Sequence, residues 1–121
     1  MERLKEIWDR QKKFDSIFFN YNKSDLIIRQ ARTKEIALCL ISEVNEVLEN
    51  INWKQHRENK IKINKQKITE EIIDVFKYCL CLALAWGITE DEFYKEFKRK
   101  SKIVEARFKN EANKIKYLNE K

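Results

Sequence analysis

The 121-residue chain contains no proline and a single glycine, Gly87. Because these two residues most often interrupt helices and form the turns between strands, their scarcity argues against repeated β-strands and favours long helices joined by short loops. Histidine is equally rare, and His56 is the only one. One histidine does not suffice for the metal sites of helical bundles that combine histidines with carboxylates. Apolar residues make up 43% of the chain, so a folded core is expected rather than disorder.

Cysteine and long apolar runs are also scarce. The three cysteines, Cys39, Cys79 and Cys81, lie in apolar helical runs that no secretory segment precedes, which predicts buried, reduced thiols and a cytoplasmic protein. The two cysteines of Cys79-Leu-Cys81 lack the spacing of a zinc site. The longest apolar run, residues 78–86, is too short to cross a bilayer, so no membrane partner is predicted.

Basic residues outnumber acidic ones by 26 to 20, which gives a formal net charge of +6. A basic balance favours anionic partners without distinguishing nucleotides from nucleic acids. Much of the lysine lies in residues 54–67 and 95–116. A solvated, lysine-rich surface explains this distribution as well as a binding surface does.

Apolar residues recur at helical spacing in four segments. The pattern therefore predicts an all-α bundle of four to five helices in a single domain, residues 1–121. Gly87 is the expected left-handed C-cap of the third helix, and Thr89 the expected N-cap of the fourth. The predicted helices cover residues 2–21, residues 25 or 33 to 51, residues 65–86, and residues 89 to about 117, with a polar break at 20–25 and a connection at 52–67.

Two predicted helices each carry a pair of carboxylates three residues apart, Glu43 with Glu46 and Glu71 with Asp74. Each pair lies beside the apolar face of its helix, where an ionised side chain is expensive unless something pairs with it. Solvated residues at the margins of amphipathic helices are the alternative for any one of them. Four carboxylates close together repel one another unless a cation offsets them, and oxygen-only ligation favours Mg²⁺, with Mn²⁺ as a substitute.

The spacing of these pairs resembles a known motif. Glu43-Val-Asn-Glu46, followed after 24 residues by Glu71-Ile-Ile-Asp74, is similar to the motif pair of the all-α nucleoside triphosphate pyrophosphohydrolases, the superfamily of MazG-like enzymes and dimeric dUTPases. Residues 8–15 resemble the dUTPase opening, in which a Gln precedes a hydrophobic and an acidic residue. Residues 52–54 resemble an aromatic-lysine element, and residues 100–107 resemble a final helix whose Lys and Arg, seven apart, meet phosphates.

The resemblance implies magnesium-dependent hydrolysis of a nucleoside triphosphate, first of all dUTP, to the monophosphate and pyrophosphate. Glu43 would be the catalytic base as well as a metal ligand. Gln11, Trp53, Lys100 and Arg107 would bind substrate. Each of these has a plainer reading: Gln11 faces water, Trp53 packs a loop onto the bundle, and the two basic residues are surface charge.

The sequence also departs from the family pattern. MazG-like members usually carry a further Glu where this chain has Ser42, although dimeric dUTPases commonly have an apolar residue there. The final helix has Ser101 and Val104 where Asn is usual, and the chain is shorter than typical dimeric dUTPases.

A broader MazG-like role in removing unwanted nucleotides is therefore one alternative, and a non-enzymatic basic module that binds nucleic acid or protein is another. The acidic residues argue against nucleic acid, and the wide apolar faces of the second and third helices predict a homodimer or a pair of dimers.

Overall fold

The protein is all-α, as predicted. A computed structural model describes residues 2–20 and 25–119, with side chains through residue 116, and within these residues it contains four helices and no strand. The helices are α1 (Glu2–Asp15), α2 (Leu26–Glu49), α3 (Lys65–Ala85) and α4 (Glu90–Asn119). The chain divides into two compact units, Met1–Ile88 and Thr89–Lys121. The first contains α1 to α3, and the second contains α4.

The core of the first unit is built around the second half of α3, which packs against both α1 and α2. One buried cluster joins Trp8 of α1 to Leu80 and Leu84 of α3. A second joins Ile36 of α2 to two buried α3 residues, Cys81 and Ala85. Since Leu80 and Leu84 lie on one face of α3 and Cys81 and Ala85 lie on the next, this helix is central, as its nearly continuous apolar sequence predicts.

Local sequence signals fix most helix ends near their predicted positions. Asp25 caps α2 by accepting a hydrogen bond from the Ile28 amide at 2.9 Å, and Asn64 caps α3 in the same way. Gly87 follows α3 with φ of 67°, a left-handed conformation that L-residues with a side chain rarely adopt. Thr89 accepts a hydrogen bond from the Glu92 amide at 3.1 Å at the start of α4, as predicted.

The first helix is shorter than predicted. It ends at Asp15, where the amides of Ile17 and Phe18 turn to the carbonyls three residues back and tighten the chain into a turn. The remainder of the predicted polar break, residues 21–24, lies outside the described residues, as does Tyr21, the predicted end of the helix.

Two hydrogen bonds fix α2 against α3 in antiparallel register. The Arg29 guanidinium donates to the Ala85 carbonyl at 2.8 Å, and the Trp86 indole N–H donates to the Thr33 hydroxyl at 2.8 Å. From Arg29 the chain runs fourteen residues forward to Glu43, and from Ala85 it runs fourteen residues back to Glu71. Because both helices rise about 1.5 Å per residue, the contact at one end sets which residues face each other at the other end.

The prediction of three buried thiols is wrong for two of them. Cys81 is buried, but Cys39 and Cys79 are exposed, and all three are free. The reason is geometric: Cys81 lies on the α3 face that packs against α2, whereas Cys79 is displaced from it by two residues, or about 200° around the helix. Cys39 lies next to Tyr78 at the edge of the same contact.

No single helix among the described residues has the length and apolar character to cross a membrane. Helices α3 and α4 meet that test only when they are taken together, on length and composition alone.

Candidate functional site

Three of the four predicted carboxylates converge between α2 and α3. Glu43 and Glu46 lie one turn apart on α2, Glu71 lies opposite on α3, and each offers an oxygen within 4.8 Å of the other two. We call these three residues the acidic group. Glu71 is buried, Glu43 is half-buried and Glu46 is exposed, so Glu43 is the more core-facing member of its pair. The i, i+3 spacing on α2 and the register with α3 together account for this convergence.

Two oxygens of the acidic group are buried without a hydrogen-bond donor among the described residues, Glu43 Oε2 and Glu71 Oε2. The only positive group within ion-pair distance of these carboxylates in the described structure is Lys67, whose Nζ lies 3.5 Å from Glu71 Oε1. Lys67 was not among the predicted site residues, although its i, i+4 spacing from Glu71 is typical of an ion pair on a helix. A buried carboxylate oxygen without a partner costs about 1–3 kcal/mol or more, and no described residue offsets that cost for these two oxygens.

Asp74 stands apart from the acidic group but borders the same space. It is exposed, one turn after Glu71, and lines a cleft of about 330 Å³ together with Glu43. Burial raises the pKa of Tyr78 in this cleft, and the neighbouring Cys39 and Glu43 add to the rise, so the phenol keeps its proton as a possible donor. The other residues that line the cleft are Gln11, Phe14, Asp15, Phe18, Arg32, Lys77 and Cys81.

A family model described as dUTPase matches residues 3–121. The chain belongs to the all-α dUTPase family. Searches of curated proteins and of solved structures each found no match. Membership of the dUTPase family supports a pyrophosphatase-like function on dUTP or another nucleoside triphosphate, and the acidic group agrees with a divalent-metal-dependent enzyme.

In this member of the dUTPase family, Gln11 is buried at 8% exposure rather than facing water, so the plainer reading of that residue is wrong. Its amide nitrogen donates to Asp15 Oδ1 at 3.3 Å and to Cys81 Sγ at 3.4 Å, while the Cys81 thiol donates to Asp15 Oδ1 at 3.5 Å. We call Gln11, Asp15 and Cys81 the amide network. It lies along the wall of the same cleft, where α1 meets α3.

The chemistry of Cys81 fits its place in the amide network. Burial raises the pKa of its thiol to about 12, and the Asp15 carboxylate adds to the rise, whereas the positive charge of Arg32 opposes it. At neutral pH the thiol therefore keeps its proton and serves as the donor to Asp15. Sequence reasoning treated Cys81 as an inert core residue and did not assign Asp15 a partner.

Trp53 lies in the connection between α2 and α3, which turns back on itself. The Asn52 side chain accepts from the Ile61 amide at 2.8 Å and donates to the Ile61 carbonyl at 3.1 Å. The Trp53 indole is 49% exposed, and the Lys54 ammonium lies 5.1 Å from its ring centroid. An indole this exposed, beside a cation, is not mainly packing the loop, so a substrate-binding role stays a prediction consistent with its place.

Lys100 and Arg107 lie on α4, in the second unit. Both side chains are exposed, and their spacing of seven residues puts them on one helix face about two turns apart. Their phosphate-binding role stays a prediction from the family resemblance. Elsewhere on α4, Lys95 pairs with Asp91 at 2.9 Å and Arg99 pairs with Glu96, so part of the basic charge is neutralised locally.

Proposed function

We propose that the protein hydrolyses a nucleoside triphosphate, first of all dUTP, to the monophosphate and pyrophosphate in a magnesium-dependent reaction. The observation that carries the proposal is the acidic group, two of whose buried oxygens have no donor among the described residues. A structural cluster would be expected to pair such oxygens internally, because buried polar groups in folded proteins are nearly always hydrogen-bonded. A group that leaves them open is suited to a cation that arrives with the substrate.

The donor set fits a hard divalent cation. Glu43, Glu46 and Glu71 offer only carboxylate oxygens, which suit Mg²⁺ or Mn²⁺ better than zinc or iron, and Asp74 borders the same cleft as a fourth ligand. When bound, the ion would neutralise phosphate charge and lower the pKa of a bound water. The residues present therefore match the metal that the dUTPase family implies.

Glu43 is the residue we assign as general base. It is half-buried, it belongs to the acidic group, and it lines the cleft in which a substrate would lie. In the reaction, a water adds to a phosphorus atom, its proton passes to the Glu43 carboxylate, and the bond to pyrophosphate breaks. Lys77 lines the same cleft and is placed to interact with phosphate charge.

Four residues outside the acidic group are assigned to the substrate. Gln11 lies in the cleft wall and is assigned to the base edge. Trp53 presents an exposed ring that is suited to stack on a base. Lys100 and Arg107 are assigned to the phosphate chain, because two cations on one helix face match successive phosphate groups.

We further propose a homodimer or a dimer of dimers, an assembly for which the dUTPase family also gives a precedent. On α2, Leu38 and Ile41 are 58% and 66% exposed, and on α4 Phe97 and Phe108 are 64% and 66% exposed. Apolar side chains exposed in rows along helices are typical of surfaces that another subunit covers. Light scattering at high protein concentration is expected to give at least twice the mass of one chain, and a monomer would contradict the proposal.

The decisive experiment is a panel of deoxy- and ribonucleoside triphosphates, assayed for pyrophosphate release with and without Mg²⁺. Release from dUTP far above the other substrates supports the narrow assignment. Comparable release from several substrates favours the broader role in nucleotide removal, to which Ser101 and Val104 also point because the usual Asn residues are absent. Binding of nucleic acid without any magnesium-dependent turnover would contradict the enzyme assignment.

A further inference from the structure

A lysine in the first turn of α3 brings a positive charge to the acidic group. We propose that Lys67 is an internal counter-ion, whose ammonium pairs with Glu71 while the acidic group is empty and is displaced by a divalent cation. Lys67 therefore sets how tightly the acidic group binds metal. This inference rests on the proposed function, because it concerns the ion that this function requires.

The contact between the two residues is direct. The Lys67 Nζ lies 3.5 Å from Glu71 Oε1, and no other cation in the described structure lies within ion-pair distance of the acidic group. Glu71 is 8% exposed, and its second oxygen, Oε2, is buried without a donor among the described residues. Lys67 thus pairs with one oxygen of this carboxylate and leaves the other open.

The stability of α3 does not account for a lysine at this position. Asn64 is the N-cap of α3 and accepts from the Lys67 amide at 3.2 Å, so Lys67 lies three residues after the cap. The partial positive charge at a helix N-terminus repels a cation there and favours a Glu at that position. Lys before Glu is also the weaker order for an i, i+4 ion pair on a helix. The acidic group, rather than the helix, therefore explains the cation.

The pairing is weak enough to be exchanged. The Lys67 side chain is 54% exposed, whereas that of Glu71 is 10% exposed. An ammonium on a flexible four-carbon stem that lies half in water separates from its partner at little cost. Their separation of 3.5 Å is also longer than the about 2.7–2.9 Å of a strong charge-assisted hydrogen bond. Only the lysine has to move when a cation binds, because the carboxylate is held in place by burial.

The charges determine which cation Glu71 keeps. The ammonium carries one positive charge and pairs with one carboxylate, whereas a divalent ion carries two and takes several oxygen ligands at about 2.0–2.6 Å. A divalent ion therefore displaces the ammonium, but it binds less tightly than it would if the ammonium were absent, because the two cations repel each other. Replacing Lys67 by a neutral side chain should strengthen metal binding. Loss of a residue that merely orients Glu71 should weaken it.

The test measures metal binding in the absence of nucleotide. Calorimetry with Mg²⁺ alone, and titration with Mn²⁺ followed by electron paramagnetic resonance, give the dissociation constants of wild type, Lys67→Met and Lys67→Arg. We expect Lys67→Met to lower the dissociation constant by about tenfold, the scale of removing one charge near a divalent ion in a solvated site. Lys67→Arg keeps the charge, and we expect it to restore most of the difference.

Lys65→Met is the matched control. Lys65 is an exposed lysine in the same turn of α3, and it has no ion-pair partner among the described residues. This substitution removes the same charge from the same end of the helix and leaves the pair of Lys67 with Glu71 intact. Because exposed charges that are not in contact are screened by water and salt, we expect it to change the dissociation constant by less than about twofold.

Chemical labelling follows the displacement in the wild-type protein. Acylation of lysines is read by mass spectrometry with and without saturating Mg²⁺. We expect labelling of Lys67 to increase when Mg²⁺ binds, because its ammonium is released from Glu71, and labelling of Lys65 to stay the same. If Mg²⁺ binds and labelling of Lys67 does not increase, the displacement is overturned.

The outcomes separate this inference from the proposed function. If Lys67→Met leaves the metal dissociation constant unchanged or raises it, the inference is overturned, and pyrophosphate release by wild type decides the proposed function separately. If wild type releases no pyrophosphate from any nucleotide but Lys67→Met binds metal more tightly, the proposed function fails and the inference stands. An equal gain in Lys65→Met would overturn the inference, because net charge would then explain the effect. Absence of metal binding in every variant would overturn it as well.

Discussion

Two sets of polar groups meet at one cleft, and they differ in whether their buried atoms have hydrogen-bond partners within the protein. In the amide network the Gln11 amide nitrogen, the Asp15 carboxylate and the Cys81 thiol each have a partner: Asp15 accepts from Gln11 and from Cys81, and Cys81 accepts from Gln11. In the acidic group, Glu43 and Glu71 each retain a buried oxygen with no donor among the described residues. The amide network and Glu43 of the acidic group line the same cleft, and the two sets differ in whether the protein alone completes them.

The difference separates a structural role from a role that depends on a ligand. A complete network stabilises the fold, and its loss leaves groups without partners. An incomplete group of like charges opposes folding until something positive binds to it. The same kind of change, a carboxylate to alanine, should therefore act with opposite sign on stability in the two sets, which gives a direct way to test the comparison.

The largest expected effect is on activity. Glu43→Ala should lower magnesium-dependent pyrophosphate release by about 10²–10⁴-fold, the usual contribution of a general base, and should leave metal-free stability unchanged or raised, because it removes one of the mutually repelling charges. Asp74→Ala should act in the same direction. The measurements are initial rates and thermal melts without metal, with Glu49→Ala as the control, an exposed carboxylate on the same helix. A Glu43 variant that is strongly destabilised and yet keeps its turnover would show that the carboxylate is structural.

Asp15→Ala should act on stability in the opposite direction. The change removes the acceptor for one Gln11 N–H and for the Cys81 thiol, and two buried donors without a partner should cost about 2–4 kcal/mol in the free energy of unfolding. Urea denaturation measures this value, and Asp9→Ala, an exposed carboxylate on the same helix, should change it by less than about 0.5 kcal/mol. If Asp15→Ala lowered the free energy of unfolding no more than Asp9→Ala does, the amide network would not stabilise the fold, and the contrast with the acidic group would be lost.

Magnesium should complete the acidic group and stabilise the folded protein. By mass action, an ion at one hundred times its dissociation constant raises the free energy of unfolding by about 2.7 kcal/mol. Glu43→Ala and Glu71→Gln should lose most of this gain, whereas Asp15→Ala should keep it, because Asp15 has its partners inside the protein. Thermal melts across a magnesium titration check the prediction. A wild-type melting temperature that does not change with magnesium concentration would contradict the prediction.

The last expected effect, which is the smallest at neutral pH, concerns the Cys81 thiol. Because burial raises the pKa of Cys81 to about 12, against about 9 when it is unfolded, the neutral thiol contributes stability that is fully present below pH 9. That contribution should be lost as pH rises from about 9 toward about 12, where the unfolded state releases the proton first. In native protein at pH 8 to 9, thiol labelling followed by mass spectrometry should modify Cys39 and Cys79 and spare Cys81. Equal labelling of all three would contradict the assignment.

The features of this molecule that could be predicted from the sequence are those set by residues close together in the chain. The i, i+3 pairs of carboxylates beside apolar stripes, the left-handed Gly87 and the Thr89 cap each depend on residues within one helical turn. The amide network depends instead on Asp15 and Cys81, which are 66 residues apart. No periodicity connects two such positions, so their contact became visible only once α1 was packed against α3.

The exposure of individual side chains could not be predicted from the sequence either. Cys39 and Cys79 belong to apolar runs, and a run does not say which of its members faces a neighbouring helix. Gln11 is polar, and the alternative to its predicted role in substrate binding was that it faces water, yet its two donors find partners that allow it to be buried. In each case the deciding information is the rotation of one helix against another, which the packing of the core sets.

The register between α2 and α3 determines which segments of the chain can accept an inserted residue. The hydrogen bond from Arg29 to Ala85 closes one end of the pair, and the acidic group lies an equal number of residues away along each helix. A single residue inserted between Arg29 and Glu43 would turn Glu43 by about 100° and move it by about 1.5 Å relative to Glu71. The connection after α2 carries no such constraint, because it joins the helices without setting their register. Insertions there should preserve the carboxylate convergence, and insertions within either helix between the Arg29 contact and the acidic group should destroy it.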